Sequence, residues 1–220
     1  MHTLDRNAVP CPQCLQQVTP GWGYDKLGGA ERAEIRAALL TMQAHRCAYC
    51  ERRTGEEKDE GHIEHFLKQA NRPDLEMAWS NMYWSCQDER TCGKHKDKCD
   101  RPAGSGEQAA FDPSHLIDPC NVDPDDYLEF VPDGTVRPRA GISAAREIVA
   151  KETIRVFQLS NSAFLRRSRE DAVRPYVQAV DTMLPHGPQL LQQYLVSVQS
   201  TIDAAPFSTA IRHFLKGLIP

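Results

Sequence analysis

Residues 47–96 read CAYCERRTGEEKDEGHIEHFLKQANRPDLEMAWSNMYWSCQDERTCGKHK and organise the rest of the chain around two pairs of cysteines. The first pair is Cys47 and Cys50, and the second is Cys86 and Cys92. Four thiolates can close a tetrahedral Zn²⁺ site, with metal–sulfur distances of about 2.3 Å. A site of this kind leaves no coordination position open, so we expect it to hold the fold together without doing chemistry.

The residues between these cysteines form a second pattern. Glu64-His65 follows the first pair, Asn81 precedes the second, and Lys96 ends the segment. This layout resembles the HNH endonucleases, in which a β-hairpin and a helix surround one catalytic metal and a zinc site often buttresses that core. The strings CAYCE, HIEHF, WSN and CGKHK, followed downstream by LIDP and YLEF, resemble the HNH nuclease subunit of Septu anti-phage systems, the PtuB type.

The resemblance implies hydrolysis of DNA phosphodiester bonds and a role for each residue of the pattern. Glu64 would bind the catalytic metal, His65 would take a proton from water, and Asn81 would hydrogen-bond the imidazole and fix its tautomer. Consecutive residues of a strand point to opposite faces, so the resemblance also implies a kink between Glu64 and His65. A carboxylate ligand fits Mg²⁺ or Mn²⁺, whereas histidine ligation would also admit Ni²⁺ or Zn²⁺.

Two departures from the HNH pattern concern the metals. Five residues separate Cys86 from Cys92, where two is the commoner gap. Gly93 stands where many HNH proteins have the last Asn or His, so another residue must supply that ligand. We expect His95 to ligate the catalytic metal together with a carboxylate, and Asp97 is the other nearby replacement.

The composition is that of an ordinary soluble globular protein. The 220 residues are 40% hydrophobic and 25% charged, which is enough for one core with a small appendage. No apolar run approaches the roughly 18 residues of a membrane span, and the first residues lack the apolar stretch of a secretory signal. We therefore expect a cytoplasmic protein without membrane contact, in which eight cysteines favour metal binding over disulfides.

Charge is distributed unevenly along the chain. The net charge is −4, which is not typical of a protein that holds nucleic acid unaided. Residues 107–133 contain eight Asp or Glu and no Lys or Arg, whereas residues 137–174 contain nine Lys or Arg against four Asp or Glu. The basic segment either neutralises phosphates or is a solvated helix face.

The predicted fold is α+β, with a zinc-buttressed ββα-metal core, a β-hairpin and a mainly helical C-terminal half. The division we expect is an irregular segment at 1–30, the nuclease core at 31–100, a loop and hairpin at 101–142, and a helical partner-binding region at 143–220. Apolar periodicity predicts helices at 31–45, 143–157, 161–184, 188–200 and 207–216. The hairpin comprises 127–131 and 135–137 around Pro132-Asp133-Gly134, and residues 101–108 form a loop.

Several further side chains have both a functional and a structural interpretation. Cys11 and Cys14 form another CxxC, which either binds a second metal with Cys99 and Cys120 or consists of simple thiols. His62 either faces water or touches the site. Four aromatic residues either stack on bases or, as we favour, fill a small core: Tyr49, Trp79, Tyr83 and Trp84.

Three classes of function remain open to this sequence. The resemblance implies the DNA-cleaving effector of a two-component anti-phage complex with an ABC/AAA-type ATPase subunit (PtuA-type). A non-catalytic zinc module that recognises DNA or protein would share the cysteine pairs but has no use for Glu64-His65 and Asn81. A regulatory scaffold would use the helices from residue 143 onward as a partner surface.

Overall fold

A computed structural model describes residues 1–16, 23–55, 57, 59–99 and 110–217. The described part is α+β, as predicted, and consists of two small antiparallel sheets and mostly helices. The strands are Gly61–His65 (β1), Met82–Cys86 (β2), Leu128–Phe130 (β3) and Val136–Pro138 (β4). The helices are Gln13–Gln16 (α1), Gly29–Met42 (α2), Cys92–Cys99 (α3), Ala144–Val156 (α4), Ala163–Met183 (α5), Pro188–Ala204 (α6) and Ser208–Lys216 (α7). The predicted loop at 101–108 lies outside the described residues.

The first hairpin and the helix after it form the part of the fold that carries the site. β1 pairs with β2 in a register that places Gly61 opposite Cys86 and His65 opposite Met82. The chain then turns into α3 at Cys92. Behind the hairpin, α2 buries the apolar residues that its periodicity predicted: Ile35, Leu39 and Met42.

Aromatic side chains fill the core around the cysteines. Tyr49 stacks on Phe157 with ring centroids 4.0 Å apart and planes 16° from parallel. Tyr83 and Trp84 are buried on β2, and Phe66 packs edge-on against Tyr83. Tyr49, Tyr83 and Trp84 therefore belong to the core, as we favoured from the sequence. Trp79 is half-buried, and the Arg6 guanidinium lies 4.9 Å from its ring centroid.

The second hairpin and the C-terminal helices pack on the other side of this core. β3 and β4 flank the predicted turn at Pro132-Asp133-Gly134. Arg169 of α5 is buried beneath the turn and donates hydrogen bonds to the carbonyls of Leu159 (2.5 Å) and Gly134 (3.1 Å). The four predicted C-terminal helices are all present, and none of the helices in the described ranges is long and apolar enough to cross a bilayer.

A buried carboxylate ties the last helix to the cysteine turn. Phe207, just before α7, has the left-handed φ of 57°, and no side chain of the helix caps its start. Glu51 Oε2 instead accepts hydrogen bonds from the backbone N–H of Thr209 (3.0 Å) and the hydroxyl of Ser208 (3.2 Å). Glu51 Oε1 pairs with the Met1 ammonium at 2.5 Å. An acidic group beside these N–H groups stabilises the start of a helix, so α7 depends on a residue distant in sequence.

Two glycines allow a direct test of the packing between the second hairpin and α5. Gly134 and Gly141 both have φ near +80°, where any other residue is strained. A Cβ at Gly134 would lie 2.0 Å from the Arg166 carbonyl oxygen, whereas a Cβ at Gly141 meets nothing within 4 Å. We expect Gly141→Ala to lower the free energy of unfolding by about 1 kcal/mol and Gly134→Ala to lower it by about 1–3 kcal/mol more. Denaturant unfolding measures both, and equal losses would show that α5 does not pack against the turn in solution.

Candidate metal centre and active site

The four predicted zinc ligands come together in one buried cluster. The thiol sulfurs of Cys47, Cys50, Cys86 and Cys92 all lie within 4.8 Å of one another. Cys50 Sγ is 3.9 Å from Cys86 Sγ, close to the roughly 3.8 Å that separates two ligands in a tetrahedral zinc–sulfur site. A dry set of four sulfur donors therefore fits Zn²⁺, as the sequence predicted.

The local backbone explains how distant cysteines converge. The turn from Cys47 to Cys50 is fixed by a bond from the Cys47 N–H to the Arg52 carbonyl (2.9 Å), and the Ala48 N–H donates to the Trp84 carbonyl on β2 (3.1 Å). Cys92 has a left-handed φ of 55°, which turns the chain sharply from the loop after β2 into α3. The five-residue gap between Cys86 and Cys92 is thus accommodated as a loop that ends at this turn.

Burial makes the protonation of these thiols interdependent. Burial raises the pKa of Cys47, but hydrogen bonds from the other three cysteines outweigh it and the pKa falls well below its ordinary value. Burial and hydrogen bonds with the other three cysteines of the cluster raise the pKa of Cys92. Thiols must be deprotonated to bind a metal. The four buried negative charges that result lie in contact and need a compensating cation.

Glu64 lies on the face of β1 that meets α3, and its carboxylate is 2% exposed. A Cβ at Gly93 would come within 2.4 Å of Glu64 Oε2, so α3 approaches the carboxylate only because residue 93 has no side chain. The volume of the expected Asn or His is occupied by Glu64 itself. Burial raises the pKa of Glu64. The charge of Lys96 and a hydrogen bond from His62 lower the pKa by more than burial raises it, so the net shift is downward.

Lys96 joins α3 to the end of β1. Its ammonium lies 2.7 Å from Glu64 Oε1 and donates hydrogen bonds to the carbonyls of His65 (2.6 Å) and Phe66 (3.1 Å). The side chain is 2% exposed, so its charge is fully withdrawn from water. The Lys96 ammonium thus makes two hydrogen bonds to carbonyls and an ion pair with Glu64. No local pattern in the sequence indicates the partners of Lys96, because its contact with His65 spans 31 residues.

His65 points away from Glu64, as the strand period requires, so the kink that the resemblance implied is not present. Its ring packs edge-on against Tyr24 with centroids 4.8 Å apart, and Nε2 lies 2.8 Å from the Glu76 carbonyl oxygen. A carbonyl oxygen only accepts, so Nε2 carries the proton and Nδ1 is the nitrogen with a lone pair for a further proton. Burial lowers the pKa of His65, which keeps the imidazole neutral at pH 7.

Asn81 does not bind the imidazole, contrary to our expectation. Its Oδ1 accepts from the Leu67 N–H (2.7 Å), and its Nδ2 donates to the carbonyls of Leu67 (2.9 Å) and Leu75 (3.2 Å). Asn81 lies at the end of the loop that joins β1 to β2, directly before β2. The nearest polar groups are therefore those of this loop. That loop carries the Glu76 carbonyl, and Asn81 therefore orients His65 only through the backbone.

His95 is not brought to the Glu64 carboxylate. Its Nδ1 lies 2.7 Å from the Val156 carbonyl and 3.5 Å from Cys99 Sγ. Residues 93 and 97 share one face of α3, whereas residue 95 lies about 200° from residue 93 and faces α4. His62 is the residue that does reach Glu64, with Nε2 3.3 Å from Oε2. The signal for it was the period of two, which places His62 and Glu64 on one strand face.

The remaining cysteines do not assemble a second metal site. Cys14 Sγ lies near the Glu31 carbonyl, Cys99 lies beside His95, and Cys120 lies near Tyr83 and Asp118. Within the described residues, the cluster of four thiols is the one group of three or more ligand side chains close enough to share an ion. The structure therefore favours the interpretation of the first CxxC as simple thiols.

Replacing one thiol of the cluster tests the zinc assignment. We expect about one tightly held zinc per chain, and we expect Cys47→Ser to lose it and unfold, because structural zinc sites contribute roughly 10–16 kcal/mol of apparent binding energy. Elemental analysis and circular dichroism of purified protein measure both effects. Cys11→Ser, outside the cluster, is the control and should keep zinc and fold. Wild-type protein with well under one zinc per chain would contradict the assignment.

A known protein matches part of this chain. No family model matches the chain. The chain is 42% identical over 84 residues to the Septu protein PtuB of Bacillus thuringiensis. The matched segment is 38% of this chain and 30% of that protein, so it spans less than a third of the relative's length. The predicted resemblance to Septu proteins of the PtuB type is thus confirmed as a partial match.

Proposed function

We propose that this protein is a metal-dependent endonuclease of the HNH kind, which hydrolyses DNA phosphodiester bonds as part of a Septu-like anti-phage defence. The observation that carries the proposal is the arrangement around Lys96. A single buried ammonium binds the Glu64 carboxylate and the carbonyl of His65, so a metal-binding acid and a neutral histidine are held in fixed relation at the end of β1. The similarity to the Septu protein PtuB supports the biological setting.

Each residue of the site has a defined task in this proposal. Glu64 would hold a divalent cation such as Mg²⁺ or Mn²⁺, which when bound supplies Lewis-acid stabilisation of the scissile phosphate and of the leaving oxygen. His65 accepts the proton of the attacking water at Nδ1, because Nε2–H is committed to the Glu76 carbonyl. Asn81 keeps that carbonyl in place by binding Leu67 and Leu75 across the loop. The zinc ligands hold the start of α3, from which Lys96 reaches the strand.

A purely structural zinc module is the rival function, and the buried Glu64 argues against it. Withdrawing a carboxylate and an ammonium from water has a large desolvation cost, and an apolar pair of similar size is often at least as stable. A zinc ribbon has no reason to retain Glu64, Lys96 and His65 together in one place. A site that must present a carboxylate to a cation does have such a reason.

The charge of the C-terminal half suggests that DNA binding needs a partner. Of the nine cationic residues in 137–174, six form ion pairs with carboxylates: Arg137, Arg146, Lys151, Arg155, Arg167 and Arg174. Arg169 is buried and unavailable to a phosphate. Phosphate neutralisation provides most non-specific DNA affinity, so a chain with net charge −4, in which most cations of this segment are already paired, should bind DNA weakly by itself.

The general base can be tested by removing its imidazole. We expect His65→Ala to lower metal-dependent cleavage of plasmid DNA by about 10²–10⁴-fold while zinc content and fold are retained. Asn81→Ala should have a smaller effect, because it acts on the imidazole only through the loop. His186→Ala, an exposed histidine before α6, is the matched control and should cleave as wild type does. Near-normal cleavage by His65→Ala would assign the base to another residue.

The partner is tested separately. We propose an ATPase subunit that restrains or directs the nuclease, since a free constitutive DNA nuclease would damage the genome of its own cell. Co-expression with an ABC/AAA-type ATPase encoded beside this chain should give a complex whose cleavage responds to ATP, and an unrelated ATPase should not co-purify. A chain that is monomeric, fully active at physiological salt and indifferent to that ATPase would refute the partnership and leave the nuclease proposal intact.

A further inference from the structure

The helix that should supply a metal ligand has no room to do so. Gly93 is the position on α3 that faces Glu64, and any side chain there would collide with the carboxylate, whose Oε2 lies 2.4 Å from an ideal Cβ. His95 faces Val156 on the opposite side of the same helix. A single carboxylate is a weak site for a divalent cation in water, so a second donor from another element would strengthen it.

Strand β1 provides that donor. His62 precedes Glu64 by two residues and therefore lies on the same face of the strand. His62 Nε2 is 3.3 Å from Glu64 Oε2. Two donor atoms that bind one ion at about 2.1 Å, with an angle of roughly 90–110° between them, are separated by roughly 3.0–3.4 Å. The observed separation is that of a hydrogen bond between the two groups, and it also matches the spacing of two ligands on one cation.

We infer that His62 is a ligand of the catalytic metal and, with Glu64 Oε2, forms its protein-supplied pair; this inference rests on the proposed nuclease function. The two carboxylate oxygens have different tasks, since Oε1 faces the Lys96 ammonium and Oε2 faces the imidazole. Lys96 neutralises the buried carboxylate from one side and leaves the other oxygen for the ion. The site would replace the missing ligand of α3 by one from the strand.

Exposure and ligand count agree with a catalytic site and not with a closed one. The His62 side chain is 20% exposed, whereas the Glu64 side chain is 2% exposed. The described residues hold no third ligand side chain within sharing distance of this pair, which leaves several positions for water and for phosphate oxygens. Asp97 lies nearby, with Oδ1 3.8 Å from the Lys96 ammonium, and can act on bound water.

An imidazole ligand also predicts which ion binds. Mg²⁺ strongly prefers oxygen ligands, whereas Mn²⁺ accepts a nitrogen in place of an oxygen at little loss. With His62 as a ligand, zinc-loaded protein should bind Mn²⁺ more tightly than Mg²⁺. His62→Ala should weaken Mn²⁺ binding about tenfold or more and Mg²⁺ binding by less. The variant should therefore prefer Mn²⁺ over Mg²⁺ less strongly than wild type does.

The experiment reads the ligand directly, without DNA and without turnover. Full-length, zinc-loaded wild type is titrated with Mn²⁺, free Mn²⁺ is followed by electron paramagnetic resonance, and the bound ion is examined for modulation by a directly coordinated ¹⁴N nucleus. We expect one ¹⁴N ligand in wild type, its loss in His62→Ala with about tenfold or more weaker Mn²⁺ binding, and wild-type behaviour of His186→Ala. Zinc content and unfolding midpoint of each variant verify that the fold is intact.

The possible results separate the two proposals. Absence of ¹⁴N coordination in wild type, or its persistence in a folded His62→Ala variant, overturns the ligand assignment even if the protein cleaves DNA. A ¹⁴N signal that His62→Ala removes supports the assignment, and it does so even in a protein that proves not to cleave DNA. Because wild type alone can give the overturning result, the test does not depend on the variant being well folded.

Discussion

The convergence of four thiols from three separate segments is the constraint on which the site depends. Cys47 and Cys50 close a turn, Cys86 ends β2, and Cys92 starts α3, so an ion bound to all four fixes the helix relative to the hairpin. From that helix Gly93 and Lys96 then meet the Glu64 carboxylate, one by making room and the other by supplying charge. A metal held by the four thiols would therefore set the positions of Glu64 and Lys96 without binding either residue.

The Lys96–Glu64 pair transmits this constraint to the strand. A buried ion pair contributes little net stability but strongly penalises any arrangement in which one partner is left alone. The same ammonium also binds two consecutive carbonyls at the point where β1 ends, which fixes the backbone on which His65 sits. The pair is better understood as specifying one arrangement of strand and helix than as a source of stability.

Local patterns predicted most of the elements, and long-range contacts account for what they missed. The cysteine pairs, the helices of the C-terminal half and the hairpin near Gly134 follow from spacing and periodicity, and all are present. The alternation of side chains along β1 predicts that His62 and Glu64 share one face of the strand. No pattern in the sequence indicates which face of β1 packs against α3. Likewise, the partners of Asn81 and Lys96 depend on where a loop and a helix return in space, and no local rule contains that.

The hydrogen bonds between Glu51 and the start of α7 couple the cysteine turn to the last helix. Glu51 follows the ligand Cys50 directly, and it holds the N–H groups at the start of the last helix. Displacement of α7 therefore breaks the hydrogen bonds between Glu51 and the start of the helix. Conversely, a change in the turn from Cys47 to Glu51 weakens the same bonds. Such coupling is reciprocal in free energy: whatever binds the C-terminal helices more tightly when the turn is ordered also orders the turn by the same amount. Order at the start of α7 and order at the cysteine turn are therefore linked through Glu51.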